Sequence, residues 1–188
     1  MKKLIFAILG LLLLSFSAAA HQVAVDPGVA PDSALWGIDR ALESISIALT
    51  FNTASKAEKR LHHAQERLEE IKVLIEENNV EDVEKAQKSH QKIIAEVEED
   101  VDAIDDSDVA DQLEAELEIE EKVEDQQQEI KELKIKIKGQ LTVEQQQALD
   151  AFLATLGSDV QKLELKITRK REETTIKVRQ ELGEEKLK

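Results

Sequence analysis

The 188-residue chain contains no cysteine. Disulfide staples, thiolate metal sites and a cysteine nucleophile are all excluded by that one absence. Aromatic residues make up 3% of the sequence, and beyond residue 20 only Trp36, Phe51 and Phe152 remain. A core without large rings is thin and aliphatic, which favours long helices packed side by side over a thick globule. Proline and glycine are both missing from Ile38 to Lys138, a run of 101 residues. There is no G-x-S-x-G and no glycine-rich phosphate loop, so neither nucleophilic hydrolysis nor nucleotide chemistry has a foothold. No N-x-[ST] sequon occurs, since Asn52 is followed by Thr53 and Ala54.

Positive charge is also short. The net charge is −15, and residues 96–125 hold 16 acids and one base, Lys122, which accounts for the whole excess. The rest of the chain balances at 24 acids and 24 bases. No broad basic surface is available to meet phosphates, so a nucleic-acid partner is disfavoured. Residues 131–188 hold 13 bases and 10 acids, so this basic end is expected to pair with the acidic segment, within the chain or between chains.

What is present begins at the N-terminus, "MKKLIFAILGLLLLSFSAAAH". Lys2 and Lys3, an apolar run from Leu4 to Phe16, and Ala18-Ala19-Ala20 read as a secretory signal peptide over 1–20. The alternative is an uncleaved anchor, but the run is shorter than the roughly 17–25 residues of a spanning helix. Cleavage would leave an exported chain starting at His21, with no membrane span. Residues 21–30 read as a flexible leader with a Pro-Gly turn.

From there the apolar spacing is helical. Leu35, Ile38, Leu42, Ile45 and Leu49 are spaced 3, 4, 3, 4, one stripe on a helix of about 32–51 capped by Asp32 or Ser33. That stripe is expected to dock the helix, with Trp36, one residue off it, sealing the end of the bundle. Ser55 and Glu58 read as a capping box opening a second helix with stripe Leu61, Ala64, Leu68, Ile71 and Ile75. After Asn78-Asn79 a third helix carries Val83, Ala86, His90, Ile93, Val97, Val101 and Ile104. "DDSD" at 105–108 breaks it, and Asp108 caps a fourth beginning at Val109. Short turns favour antiparallel neighbours, and the nearly heptad seams favour a left-handed supercoil. The body expected over 31–138 is therefore an antiparallel long-helix bundle, coiled-coil-like in character.

The register weakens at Gln126-Gln127-Gln128. Leu133, Ile135 and Ile137 then alternate, leaving 131–138 open between helix and strand. Thr142 and Gln145 cap a further helix ended by Gly157. Leu163, Leu165 and Ile167 alternate again and are answered by Ile176 and Val178 across a polar turn, a β-hairpin signature. The expected fold class is mainly α, with a small C-terminal helix plus β-hairpin over 141–180 and a disordered end at 181–188.

"PDSALWGIDRALESISIALTF" and the following "KAEKRLHHAQERLEEIKVLIEENNVEDVEKA" resemble a family catalogued as domain of unknown function 5667. Pro31, Asp32, Ser33, Leu35, Glu43, Leu49, Thr50 and Phe51 carry the resemblance, with Glu66-Arg67-Leu68 and Glu70 in the second helix. Trp36 stands where a tyrosine is usual and Asp39 where a base is common. The resemblance covers about 31–100 and implies an exported or membrane-associated helical module, with no activity attached. "LTVEQ" at 141–145 is similar to the L-T-x-x-Q of small periplasmic chaperones and metal-stress sensors, though capping explains Thr142 and Gln145 without it.

Candidate chemistry is sparse. Ser33 beside Asp32 reads as a helix cap. His62 and His63 precede Glu66 by four and three residues, so one helix face offers imidazole and carboxylate to a metal; the plainer reading is an exposed polar face. His90 falls on the apolar stripe and reads as a seam histidine setting register. His21, as a mature N-terminus, has no second copper ligand near it in sequence. "DVDAIDDSD" at 100–108 lacks the glycine and the terminal-glutamate spacing of an EF-hand loop, so at most weak, delocalised Ca²⁺ or Mg²⁺ binding is expected in the 96–125 segment. No acid, base and nucleophile can be assembled, so an enzyme is not expected. The sequence points to an exported helical protein acting through protein–protein interaction, as a scaffold or by self-association. The alternative is an extracytoplasmic chaperone or metal-responsive sensor.

Overall fold

A computed structural model of the chain describes residues 33, 35–77, 79–105, 108–137 and 143–185. The expected signal peptide at 1–20, the leader at 21–30 and the cap residue Thr142 lie outside the described residues. Among the described residues five helices follow one another: α1 Trp36–Ala48, α2 Thr53–Glu76, α3 Val80–Ala103, α4 Val109–Ile137 and α5 Val143–Glu185.

Local chemistry sets most boundaries. Ser33 Oγ accepts from the Leu35 amide at 3.2 Å just before α1, and Thr50 Oγ1 donates back to the Ser46 carbonyl near its end. The cap of α2 is Asn52 and not Ser55: its side chain accepts from the Ser55 amide at 2.8 Å. Asn79 caps α3, and Asp108 Oδ1 takes the Ala110 amide at 2.8 Å ahead of α4.

α2 and α3 pack antiparallel, as Arg60 on Glu96 and Asp100 shows. α4 and α5 do the same, with Glu120 paired to Arg171 and Lys134 to Asp150. The two hairpins then lie side by side with like helices parallel. Gln126 Nε2 donates to the Leu61 carbonyl at 2.8 Å between α4 and α2, and Lys166 meets Asp102 at 2.6 Å between α5 and α3. The short 104–108 connection thus joins helices at opposite corners of a four-helix core, not adjacent neighbours.

The stripes expected for α2 and α3 are the core. Leu61, Ala64, Leu68 and Ile71 face Val83, Ala86, Ile93, Val97 and Val101, all buried. To this core α4 adds Ile119, Val123, Ile130 and Leu133, and α5 adds Leu153, Leu156, Val160, Leu163 and Ile167. Burying a Leu or Ile side chain contributes about 1.5–3 kcal/mol, so these aliphatic seams dominate the stability of a chain with no disulfide.

The β-hairpin expected at 163–178 within the 141–180 tail is absent: α5 runs unbroken from Val143 to Glu185, past residue 181, the start of the expected disordered end. Residues at i and i+4 satisfy a period of 2 as well as a helical period, so Leu163 and Ile167 fitted both patterns. The buried series Leu153, Leu156, Val160, Leu163, Ile167 is a heptad seam, while Leu165 and Ile176, which completed the alternation, are exposed. Segment 131–137 resolves as helix for the same reason, with Leu133 buried and Ile135 exposed. Gly157 does not stop the helix; it lies where Ile130 of α4 comes close.

Seam polarity explains the weak register of α4. Gln126 takes a seam position and turns its amide to α2. Gln112, Glu116 and Thr174 close a buried triad: Gln112 Nε2 donates to Glu116 Oε1 (2.7 Å) and Thr174 Oγ1 (3.1 Å), and Thr174 donates to Glu116 (3.0 Å). The basic face of α5 meets the acidic segment within the chain, through Lys166 on Asp102, Arg171 on Glu120, and Lys166 and Lys170 on carbonyls at the end of α3.

Candidate functional site

α1 stands outside this core. It folds back antiparallel on α2, with Lys59 Nζ donating to Thr50 Oγ1 at 2.8 Å near the turn, and none of its residues is buried. Its docking is inverted relative to the sequence expectation. Leu35, Ile38, Leu42, Ile45 and Leu49 do not dock the helix; they are 54–68% exposed, and Phe51 beyond them is 92% exposed. The half-buried side is Trp36, Asp39, Arg40, Glu43 and Ile47. The reason lies on α2: the turns that α1 reaches present His63, Glu66, Arg67 and Glu70, a polar surface that an aliphatic stripe would leave without partners.

That polar seam is tightly coupled. Arg67 is fully buried, with Nη2 2.8 Å from Glu70 Oε1, 3.1 Å from Glu43 Oε1 and 3.8 Å from Glu66 Oε2. Arg40 grips the other Glu43 oxygen and stacks over Trp36 with its guanidinium 5.9 Å from the ring centroid. His63 Nδ1 lies 2.8 Å from Glu66 Oε2 and 3.9 Å from Glu43 Oε1. Trp36 therefore covers the α1–α2 seam and not the end of the bundle.

The electrostatics follow from burial. Removal from water pushes the Glu70 carboxyl up to about 8; Arg67 opposes this and Glu43 adds to it. The Arg67 contacts are close, but its guanidinium nitrogens close no hydrogen bond of ordinary geometry, so the pair lacks the bonds that would offset desolvation. Burial also works against the Glu66 anion, yet the His63 hydrogen bond and charge, with His62 and Arg67, hold its pKa below the usual range.

Of the metal candidates, the structure brings His63 and Glu66 together and adds Glu43, which sequence spacing did not offer. Their ligand atoms all lie within 4.8 Å of one another. His62 is mostly exposed, with Nε2 3.5 Å from Glu66 Oε1. Both Glu43 oxygens, however, face guanidinium groups, Oε1 that of Arg67 and Oε2 that of Arg40. A cation entering there meets two fixed positive charges, so the arrangement serves better as an ion-pair latch than as a metal centre. His90 lies apart from this cluster, fully buried on the α3 seam, its pKa pushed down to about 4 by burial. Gln126 is beside it, but neither ring nitrogen closes an ordinary hydrogen bond. No helix among the described residues is long and apolar enough to cross a membrane.

These features define a class: a mainly helical bundle with a helix, α1, latched on by charge and turned apolar side out. The chain belongs to the family described as Domain of unknown function (DUF5667), which matches residues 28–140. No curated protein and no solved structure matches it significantly. The match ends at residue 140, between α4 and α5, so α5 completes the core from outside it. Glu43, Glu66, Arg67 and Glu70, which carry the resemblance in sequence, are the residues that meet at the latch. That shared pattern was the one sequence signal that could have found the cluster.

Proposed function

We propose that the protein is an exported, non-enzymatic helical interaction module that works through the outer face of α1. The observation that carries this reading is the inverted docking of α1. Its charged side is consumed by α2, and five large aliphatic side chains in heptad spacing are left in water. Burying that face against a protein surface removes an apolar stripe from water at about 25 cal/mol per Å², which supplies the driving force. Export rests on the "MKKLIFAILGLLLLSFSAAA" segment, and the net charge of −15 argues against nucleic acid as the partner.

A photo-crosslinking residue placed at Ile38 in the producing cell is expected to give a discrete protein adduct, and one at Leu165, also exposed but isolated on α5, is not. Equal adducts at both sites, or none at either, overturns the reading. Fractionation with N-terminal sequencing tests export; a cytosolic chain retaining Met1 removes that part. The metal-responsive alternative draws on Glu43, His63 and Glu66. Calorimetric titration with Zn²⁺ showing one stoichiometric site lost in His63→Ala would favour it.

A further inference from the structure

We infer that the outer face of α1 is a seam for further copies of this same chain. The inference rests on the reading of α1 as an interaction surface and names its occupant.

The seam has the register of a coiled coil. Leu35, Leu42 and Leu49 occupy a positions, and Ile38 and Ile45 occupy d positions. A strict a/d stripe is narrower than the arc by which a helix docks on a globular surface or lies in a lipid interface, and it fits a second helix of equal spacing. The flanks carry the same message. The g positions beside the seam are Ala41 and Ala48, both exposed and small enough to let two helices approach closely; the e positions are Asp39 and Ser46. Partners of a different sequence are usually selected by opposite charges at e and g, and no such set is present here. The charged residues of α1, Asp39, Arg40 and Glu43, lie on the half-buried side toward α2.

Like charge between copies opposes the contact at long range, but its source, the acidic excess of 96–125, lies on α3 and α4 and not on α1. A lipid surface is a poorer occupant, since α1 has one basic residue and Arg40 is committed to Glu43 and Trp36. Leucine at a with isoleucine at d favours three or four strands over two. At 13 residues, α1 makes a short seam of about 20 Å, so the assembly is weak and concentration-dependent.

Sedimentation velocity of the full exported protein, from about 1 to 100 µM, tests this. The weight-average mass is expected to rise at least twofold toward a trimer or tetramer. Leu42→Glu with Ile45→Glu is expected to remain monomeric with unchanged helical circular dichroism, because both side chains already face water. Leu165→Glu, on an exposed site outside the seam, is expected to assemble like the parent. A parent protein monomeric throughout overturns the proposal, as does assembly that survives the double substitution. So does a monomer that instead floats with anionic phospholipid vesicles. The two readings fail separately: a monomer whose Ile38 crosslinks to a different protein ends self-association and leaves the interaction module standing.

Discussion

Arg67 Nη2 lies 2.8 Å from Glu70 Oε1, with neither side chain exposed, one helical turn apart on α2 and beneath α1. A buried pair of this kind is poor in net stability, because desolvating both groups offsets their attraction. Here it is also shared: Glu43 reaches across from α1 to the same guanidinium at 3.1 Å. Arg67 is the hub, and α1 is held by supplying one of its counter-charges. The orientation of α1, and with it the outward turn of the aliphatic face, follows from where this arginine is buried.

The first prediction concerns pH. The Glu70 carboxyl titrates near 8 in the folded chain against an ordinary 4.5, so between those values the folded state keeps a proton that the unfolded state has released. The stabilisation is complete below 4.5 and is lost as pH rises through 8. Glu129, raised to about 7 by burial and by Glu69, adds in the same direction. Melting temperature is expected to fall from pH 6 to pH 9. Glu70→Gln imitates the protonated form; it should lie nearest the parent at or below pH 4.5, and its advantage should widen by at least about 3 °C between pH 6 and pH 9, where the Glu70 part of the decline is gone. Parallel pH profiles for the two proteins would refute the assignment.

His90 sets the acid side. Its pKa of about 4 lies below the ordinary 6.5, so between these values the unfolded chain binds the extra proton and stability falls as pH drops from 6.5 through 4. Neither ring nitrogen closes an ordinary hydrogen bond, so His90→Leu removes buried polar atoms at nearly constant volume. Denaturant titration at pH 7 should find the variant at least as stable as the parent. At pH 5 its advantage should grow. A variant destabilised by more than about 1.5 kcal/mol at pH 7 would show that His90 is needed for packing, not tolerated.

How much of this was legible in the sequence differs by helix. For α2 and α3 the stripes Leu61–Ile71 and Val83–Ile104 are the core, because there the apolar period and the packing direction coincide. For α1 the stripe was legible but its direction was not. A helix with one apolar and one charged side docks by whichever its neighbour can satisfy, and the burial of the neighbour's charge, Arg67, is a property of the packed fold and not of spacing along α2. The hairpin expected in α5 came from Leu165 and Ile176, exposed residues that imitated an alternation. Glu43 joined His63 and Glu66 through a tertiary contact that no spacing along one helix can announce.

Charge between α5 and its neighbours gives the third prediction. Arg171 meets Glu120 at 2.6 Å and Lys166 meets Asp102 at 2.6 Å, all four side chains at least partly exposed. Exposed pairs contribute about 0.2–1 kcal/mol each and are screened by salt. Lys166→Ala with Arg171→Ala should therefore lower stability by about 1 kcal/mol in dilute buffer. The deficit should shrink in molar salt, and screening should stabilise the parent, whose 96–125 segment carries 16 acids. A deficit unchanged by salt would mean that the two side chains act through their aliphatic stems.

The last prediction tests the continuity of α5 itself. Gly157 sits in mid-helix, and a Cβ built there would meet only Ile130 Cγ2, at 3.8 Å, an ordinary van der Waals distance. Glycine inside a helix costs about 0.8–1 kcal/mol relative to alanine, mostly because it surrenders more backbone freedom on folding. Gly157→Ala should therefore stabilise the protein by about 0.5–1 kcal/mol, adding methyl contact with α4 and straining nothing. Had Gly157 ended a helix ahead of a β-hairpin, it would take a left-handed C-cap conformation, and alanine there would destabilise. The sign of one measured difference in unfolding free energy thus separates the single 43-residue helix from a helix-plus-hairpin tail.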